Sequence, residues 1–305
     1  MWLGAHLGIS GGLAEAVHEG QRIGCESLQI FSKSPQMWSG PAIAAAAAEE
    51  FRAAVRADGL RATAVHHGYL ANLASPKAFV LRRSRAAFRD ELERADLLGV
   101  DALIFHPGAH LKSGVEAGLK TIAESLRLAM EARPESRVRI LLENAAGQGT
   151  TLGSKFEELA SVLAQVGRPD RLGVAIDTCH LFAAGFDFRS DEAYGALMDE
   201  LERDLGRGTV RAFHLNDAKA PLGSHLDRHE NIGKGEIGTA GFRHFVNDPR
   251  WAETPGYLET PLDDRAYSRY AADLRTLRSL LAPAAGAAPT PPPARRGTGR
   301  RSTVK

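Results

Sequence analysis

Apolar and polar positions follow two rhythms along this chain, and they take turns. Short apolar runs, read as strands, fall at Trp2–Leu7, Ser27–Phe31, Ala62–His66, Ala102–His106, Val138–Glu143, Leu172–Asp177, Val210–His214 and Gly256–Glu259. Between them lie stretches whose apolar residues recur at the spacing of one helix face: Leu13–Ile23, Ala42–Ala57, Pro76–Leu98, Glu116–Ala132, Phe156–Val166, Asp191–Leu205, Ala240–Asn247 and Asp263–Leu281. Some boundaries have a local cause. Ser75-Pro76 predicts an N-cap followed by proline in the first helical turn. Gly99 stands where a left-handed residue would close the third helix.

Strand and helix alternate in this way over roughly 280 residues without a linker, which predicts a (β/α)8 TIM barrel. A doubly wound open sheet is the alternative. The polar residues decide between them, because Ser32, Lys33, His66, His106, Glu143, Asp177, His214 and Glu259 all fall at or just past the carboxyl end of a strand. A barrel gathers all its strand ends at one face, where its active site forms. An open sheet would need such residues only near its switch point.

Composition, 44% hydrophobic and 25% charged, is that of a soluble globular protein. No apolar stretch approaches the roughly 20 residues of a membrane span, and residues 1–20 lack the pattern of a secretory signal. Cys25 and Cys179 are the only cysteines, so neither a disulfide framework nor a thiolate metal site is implied, and a cytoplasmic location is expected. The net charge of +1 hides an asymmetry, because Arg295, Arg296, Arg300, Arg301 and Lys305 lie in a terminal segment without acids. Removing those five from the 38 bases leaves 33 against 37 acids, so the body is net acidic. The expected organisation is a barrel domain over residues 1–281 and a disordered Pro-rich, basic tail over 282–305.

Candidate chemistry concentrates in His214–Gly238, where Asp227 and His229 stand two apart among glycines. Imidazole nitrogens and carboxylate oxygens are what a zinc-class cation prefers when thiolates are absent. Glu143 closes the fully apolar run Ile140-Leu141-Leu142, so its carboxylate must be paired, protonated or bound to metal. Asp177 and His180 stand three apart after another apolar run. Five histidines (His66, His106, His180, His214, His229) and four carboxylates (Glu143, Asp177, Asp227, Glu259) exceed the four ligands of one zinc. Such a set suits two or three clustered ions with a bridging carboxylate, a device of phosphoryl-transfer enzymes.

Several motifs together resemble the endonuclease IV family of apurinic/apyrimidinic (AP) endonucleases. They are His66-x-x-Tyr69-Leu70-x-Asn72-Leu73, Phe105-His106-Pro107-Gly108, Glu143-Asn144-x-Ala146-Gly147-Gln148-Gly149, Ile176-Asp177-Thr178-Cys179-His180, His214-Leu215-Asn216-Asp217-x-Lys219, Asp227-Arg228-His229, Gly233-x-Gly235-x-Ile237-Gly238 and Leu258-Glu259-Thr260. The resemblance runs from Trp2 to about residue 281. It implies a TIM barrel that cleaves double-stranded DNA 5′ to an abasic site with three Zn2+ ions, leaving a 3′-hydroxyl and a 5′-deoxyribose phosphate, as in base excision repair. His66 and His106 would hold the first ion and Glu143 would bridge it to the second. Asp177, His214 and Glu259 would complete the second, and His180, Asp227 and His229 would bind the third. The nucleophile would be hydroxide borne by the metals, with Glu143 and Glu259 as the catalytic carboxylates. Manganese or iron could replace a zinc. A monomer is expected, with no membrane partner.

The same resemblance places Gln36, Tyr69 and Leu70 in the distorted DNA, and Asn216, Lys219 and Arg228 near its phosphates. Gln36 stands where the family commonly has arginine, and Met37 also departs from the pattern; glutamine loses the charge and the stacking area. Cys179 is expected to be a packed residue, His67 to have no assigned role and His225 to be a surface residue. Two other readings stay open: a xylose-isomerase-like sugar isomerase or epimerase, and an inactive protein that binds abasic sites.

Overall fold

The computed structural model describes residues 1–206, 208–263 and 266–282. Among them, eight parallel strands close into a barrel: β1 (Trp2–Leu7), β2 (Ser27–Ile30), β3 (Ala62–His66), β4 (Ala102–Phe105), β5 (Arg139–Glu143), β6 (Leu172–Asp177), β7 (Val210–His214) and, numbered here after a short ribbon, β10 (Pro255–Leu258). β10 pairs with both β1 and β7, which closes the ring and removes the open-sheet alternative. The ribbon joins β8 (Asp217–Ala218) to β9 (His229–Glu230), antiparallel. The helices are α1 (Leu13–Ile23), α2 (Ala45–Ala57), α3 (Ala78–Leu98), α4 (Val115–Ala132), α5 (Phe156–Val166), α6 (Thr178–Ala184), α7 (Asp191–Leu205), α8 (Gly238–Asn247) and α9 (Ser268–Ser279).

Two cores result from the alternation of side chains along each strand. One row points outward and packs under the helices, with Val65, Leu103, Ile140, Leu142, Val174, Ile176 and Phe213 all buried there. The other points into the barrel, where Ala64, Ala102, Ile104, Leu141, Ala175, Ala212 and Tyr257 form a separate cluster. Continuing each inward row by one more position toward the carboxyl end reaches His66, His106, Glu143, Asp177, His214 and Glu259. Strand periodicity alone therefore brings these six side chains to one mouth of the barrel. At the other mouth β1 passes close to β2, since a Cβ on Gly4 would lie 1.8 Å from the Ser27 carbonyl oxygen.

Some expected boundaries move. α3 begins at Ala78, not at Pro76, because the Ser75 hydroxyl accepts from Lys77 N at 3.2 Å and closes a turn ahead of the helix. Gly99 does close α3 in the left-handed conformation, φ 68°. α6 and the β8–β9 ribbon were not anticipated; each is too short to leave a periodic pattern. Apart from Ala282, the tail expected to be disordered lies outside the described residues. Among the described residues no helix is long and apolar enough to cross a membrane.

Candidate metal centre

All nine expected ligands meet at the carboxyl mouth of the barrel. Among the described residues five groupings have ligand atoms within 4.8 Å of one another, and three of them together take in all nine: His66, His106 and Glu143; Glu143, Asp177, His214 and Glu259; and His180, Asp227 and His229. The other two, His66 with His214 and Glu259 and Asp177 with Cys179 and His229, overlap these. Glu143 is fully buried and common to the first two. One of its oxygens lies 2.9 Å from His66 Nε2 and 3.6 Å from His106 Nδ1, and the other lies 2.9 Å from His214 Nδ1. In the third group Asp227 approaches His180 Nε2 with one oxygen and His229 Nε2 with the other, each at 3.2 Å.

The ring orientations reveal the chemistry. A carbonyl oxygen can only accept, so a ring nitrogen beside one must carry the proton. His66 Nδ1 donates to His67 O at 2.8 Å, His180 Nδ1 to Asn144 O at 2.9 Å, and His229 Nδ1 to Glu259 O at 3.1 Å. His214 Nε2 lies 2.9 Å from the Gln29 side-chain oxygen. Four of the five histidines thus give one N–H away from the cluster and turn the other nitrogen toward the carboxylates. Metal-ligating histidines are held by this arrangement.

Electrostatics agree with it. Burial opposes charge on Glu143, yet His106, His214 and His66 hold its carboxyl well below the usual range. Burial likewise opposes charge on Glu259, which His214, His6 and His66 hold low, and on Asp227, held low by His180 and His229. Burial disfavours protonated His214, but Glu259 and Glu143 outweigh it and raise the ring to about 9. His229 rises to about 9 against its burial, through Asp177 and Asp227. His106 is instead lowered, burial prevailing over Glu143. The carboxylates therefore draw positive charge to this mouth. His229 Nε2 is buried without a well-aligned hydrogen bond, 3.6 Å from Asp177 Oδ2, which leaves a lone pair facing oxygens. Nitrogen and oxygen donors in this balance fit a borderline divalent cation of the zinc class.

A second row holds the first. Asn144 accepts from Asp177 N at 2.6 Å, and Asp177, the N-cap of α6, accepts from His180 N at 2.9 Å. Asn216 donates to Asp177 Oδ2 at 2.7 Å and accepts from Glu259 N at 2.8 Å. Because Asn216 is fully buried and its amide is engaged on both sides, the expectation that it meets a DNA phosphate is corrected: it braces two candidate ligands. Gln29 and His6 were missed, although they lie on the inward rows of β2 and β1, where strand parity could have found them. His6 Nδ1 and Gln29 Nε2 reach Glu259 Oε1 at 2.8 and 2.7 Å.

The remaining expected residues separate clearly. Gln36 and Met37 are exposed, as are Tyr69 and Leu70, and Tyr69 N donates to Pro35 O at 3.2 Å, so the two exposed segments are tied together. Lys33, buried, pairs with Asp90 at 2.9 Å and with Glu91, while Arg94 donates to Pro41 O at 2.9 Å; these anchor both ends of the segment carrying Gln36. Arg228 and Lys219 are exposed, and Lys219 N donates to Arg228 O at 2.9 Å. Cys179 is buried, as is Cys25. His225 is exposed. His67 is buried and its ring donates to Gly68 O at 2.9 Å.

A cleft of about 240 Å³ opens beside the third group, lined by Tyr69, His106, Ala146, Gln148, His180 and Asp227 among others. A larger cavity of about 560 Å³ lies at the amino end of β7, by Met198, Val210 and Trp251, and contains none of the candidate ligands. The smaller one adjoins the chemistry.

Comparison with known proteins gives a consistent result. A family model described as a xylose isomerase-like TIM barrel matches residues 17–280. A probable endonuclease 4 of Geobacter sulfurreducens is 43% identical over 281 residues, 92% of this chain and 94% of its own length. The crystal structure of endonuclease IV from Thermus thermophilus superposes with a TM-score of 0.80 at 36% identity, covering 92% of this chain and 98% of that one. A D-psicose 3-epimerase of Clostridium cellulolyticum has a TM-score of 0.67 at 17% identity over 92% of this chain and 99% of its own, a likeness of fold alone.

Proposed function

The chain belongs to the endonuclease IV family of xylose isomerase-like TIM barrels, and from that premise we propose that it incises double-stranded DNA 5′ to abasic sites with three zinc ions. It is an AP endonuclease, a metal-dependent phosphodiesterase of DNA repair. The observation that carries the finer reading is the set of three ligand groups, two of them sharing Glu143, with four histidine rings turned to present a lone pair.

His66, His106 and Glu143 would hold one ion; Glu143, Asp177, His214 and Glu259 a second; His180, Asp227 and His229 a third. When bound, divalent ions supply a water of lowered pKa near neutral pH and positive charge for the attacked and departing oxygens. The chain's own part is placement. Its carboxylates are kept ionised by the neighbouring imidazoles, and Asn144, Asn216 and the backbone carbonyls fix their directions. Tyr69, Leu70 and Gln36 stand exposed at the same mouth, where apolar and aromatic groups can fill the space of a missing base. Unstacking is least costly where the base is already absent. Arg228 and Lys219 offer charge to the backbone. The chain would act as a cytoplasmic monomer.

The epimerase reading leaves the third ligand group and the exposed Tyr69-Leu70 pair without use. Incubating the zinc-loaded protein with a duplex containing one tetrahydrofuran abasic analogue tests the proposal. Nicking 5′ to the analogue with a free 3′-hydroxyl, lost on chelation and restored by Zn2+, is expected, with about three zinc ions per chain by elemental analysis. Binding without nicking would favour the inactive lesion binder, and neither would favour a sugar enzyme.

A further inference from the structure

Glu259 and His214 each have two atoms that could face a cation, and one buried side chain selects between them in both residues. Gln29 lies on the inward row of β2, paired in register with His6 of β1 and Ala64 of β3, and is completely buried. One end of its amide is 2.7 Å from Glu259 Oε1, the other 2.9 Å from His214 Nε2. An ionised carboxylate only accepts, so the end facing Glu259 must be the NH2 group. The opposite end is then a carbonyl oxygen, and His214 must donate to it from Nε2. A neutral imidazole with its proton on Nε2 carries its lone pair on Nδ1, the nitrogen that faces Glu143, Asp177 and Glu259 at 2.9, 3.9 and 3.4 Å.

The same logic fixes Glu259. Its Oε1 lies within hydrogen-bond reach of both Gln29 Nε2 and His6 Nδ1. Gln29 Nε2 is also 2.9 Å from His6 Nδ1, so its NH2 group has one hydrogen for Glu259 Oε1 and one for that ring nitrogen. With Oε1 accepting from Gln29 Nε2, Oε2 is the oxygen presented toward His214 Nδ1.

We propose that Gln29 is a positioning residue of the metal centre, directing Glu259 Oε2 and His214 Nδ1 toward one and the same cation. The role rests on the metal-centre reading above and adds to it a residue that touches neither metal nor DNA. Partners of this kind typically change metal affinity by roughly 10–100-fold when removed.

The test compares the parent with Gln29→Leu and Gln29→Met, full-length and zinc-loaded, both variants removing the two hydrogen bonds while filling similar volume. Zinc retained per chain is measured across a series of chelator-buffered Zn2+ concentrations. The imidazole nitrogen resonances of His214 report which nitrogen carries the proton. One zinc per chain should leave at roughly 10–100-fold higher free Zn2+ than in the parent while the rest stay. In the variants at saturating Zn2+, the His214 Nε2–H resonance should lose the position it holds in the zinc-loaded parent. The metal-free variants should still melt cooperatively, about 2–10 °C below the metal-free parent, because the His214 N–H loses its acceptor. Superimposable zinc titrations for parent and variants overturn the proposal. So does joint loss of all zinc with a larger fall in metal-free melting temperature, which would make Gln29 a packing residue. A parent that takes up no zinc overturns the metal centre itself, and this role with it.

Discussion

Replacing Asp217 by asparagine tests how the third ligand group is held in place. Asp217 is fully buried, and its two oxygens accept from the backbone of the glycine-rich segment that follows the ribbon. Oδ2 accepts from Gly233 N at 2.9 Å and Gly235 N at 3.1 Å. Oδ1 accepts from Ala218 N at 2.8 Å, Ile237 N at 3.0 Å and Gly238 N at 3.4 Å. An asparagine keeps one oxygen, so it strands either the first pair of donors or the second set of three. Each buried N–H left without an acceptor costs about 1–3 kcal/mol, so the smaller loss is about 2–6 kcal/mol. That is a large part of the 5–15 kcal/mol typical of a whole domain. Most of these donors belong to residues 233–238, so this segment should open locally before the barrel does. Between Asp217 and that segment lie Asp227 and His229, and β9 pairs with β8 at Asp217 itself. Hydrogen exchange at Gly233, Gly235 and Ile237 should therefore accelerate by between about 30-fold and 10⁴-fold. The nicking rate should fall with KM for the abasic duplex little changed. Exchange protection within threefold of the parent, with an unchanged melting curve, would refute Asp217 as the anchor.

Other perturbations address separate parts of the molecule. Tyr69→Ala should weaken binding to an abasic duplex by about 1–3 kcal/mol, the usual worth of a stacked ring, without altering zinc content; anisotropy titration beside elemental analysis checks both. Gln36→Arg should tighten binding to the same duplex and steepen its dependence on salt by about one counterion, measured across a salt series. An unchanged slope would mean that this exposed side chain does not meet the backbone. Neither thiol should react with Ellman's reagent at pH 8 in the folded protein, because burial pushes Cys25 up to about 12 and raises Cys179 too. Gly4→Ala should abolish soluble expression, since its Cβ would enter the Ser27 carbonyl.

Much of this was legible in the chain because two periodicities coincide. The alternation of strands and helices gives the barrel, and the period of two within each strand fixes which residues face inward. His66, Glu143, Asp177 and His214 each end an apolar strand on the inward row, where an ionisable group is conspicuous. Asp227 and His229 were legible for another reason: two ligand types two residues apart, in a loop too polar to be core. What could not be read was the depth of a polar residue. Asn216 and Arg228 looked equivalent as phosphate contacts, yet one is buried against Asp177 and the other is exposed. Chain order places both after β7 but does not say how the loop folds back. That is decided by Asp217, through hydrogen bonds to residues up to 21 positions away.

The second row was hidden for a physical reason too. Gln29, Asn144 and Asn216 are neutral amides, and an amide in a sequence carries no mark that separates a surface residue from a buried brace. Their value here follows from that neutrality. Each of these amides has a donor at one end and an acceptor at the other. It can therefore hold a carboxylate (Gln29, Asn216) or a ligand's backbone carbonyl (Asn144) with the first and a ring N–H or a backbone N–H with the second, without adding charge to a mouth that already holds four carboxylates. A lysine in the place of Gln29 would compete for the carboxylates that a cation needs, and a further acid would repel them. The inward rows of β1 and β2 supply none of the nine candidate ligands, and they carry His6 and Gln29 instead. The barrel thus divides its inward rows, with β3 to β7 and the end of β10 presenting donors and β1 and β2 aiming them.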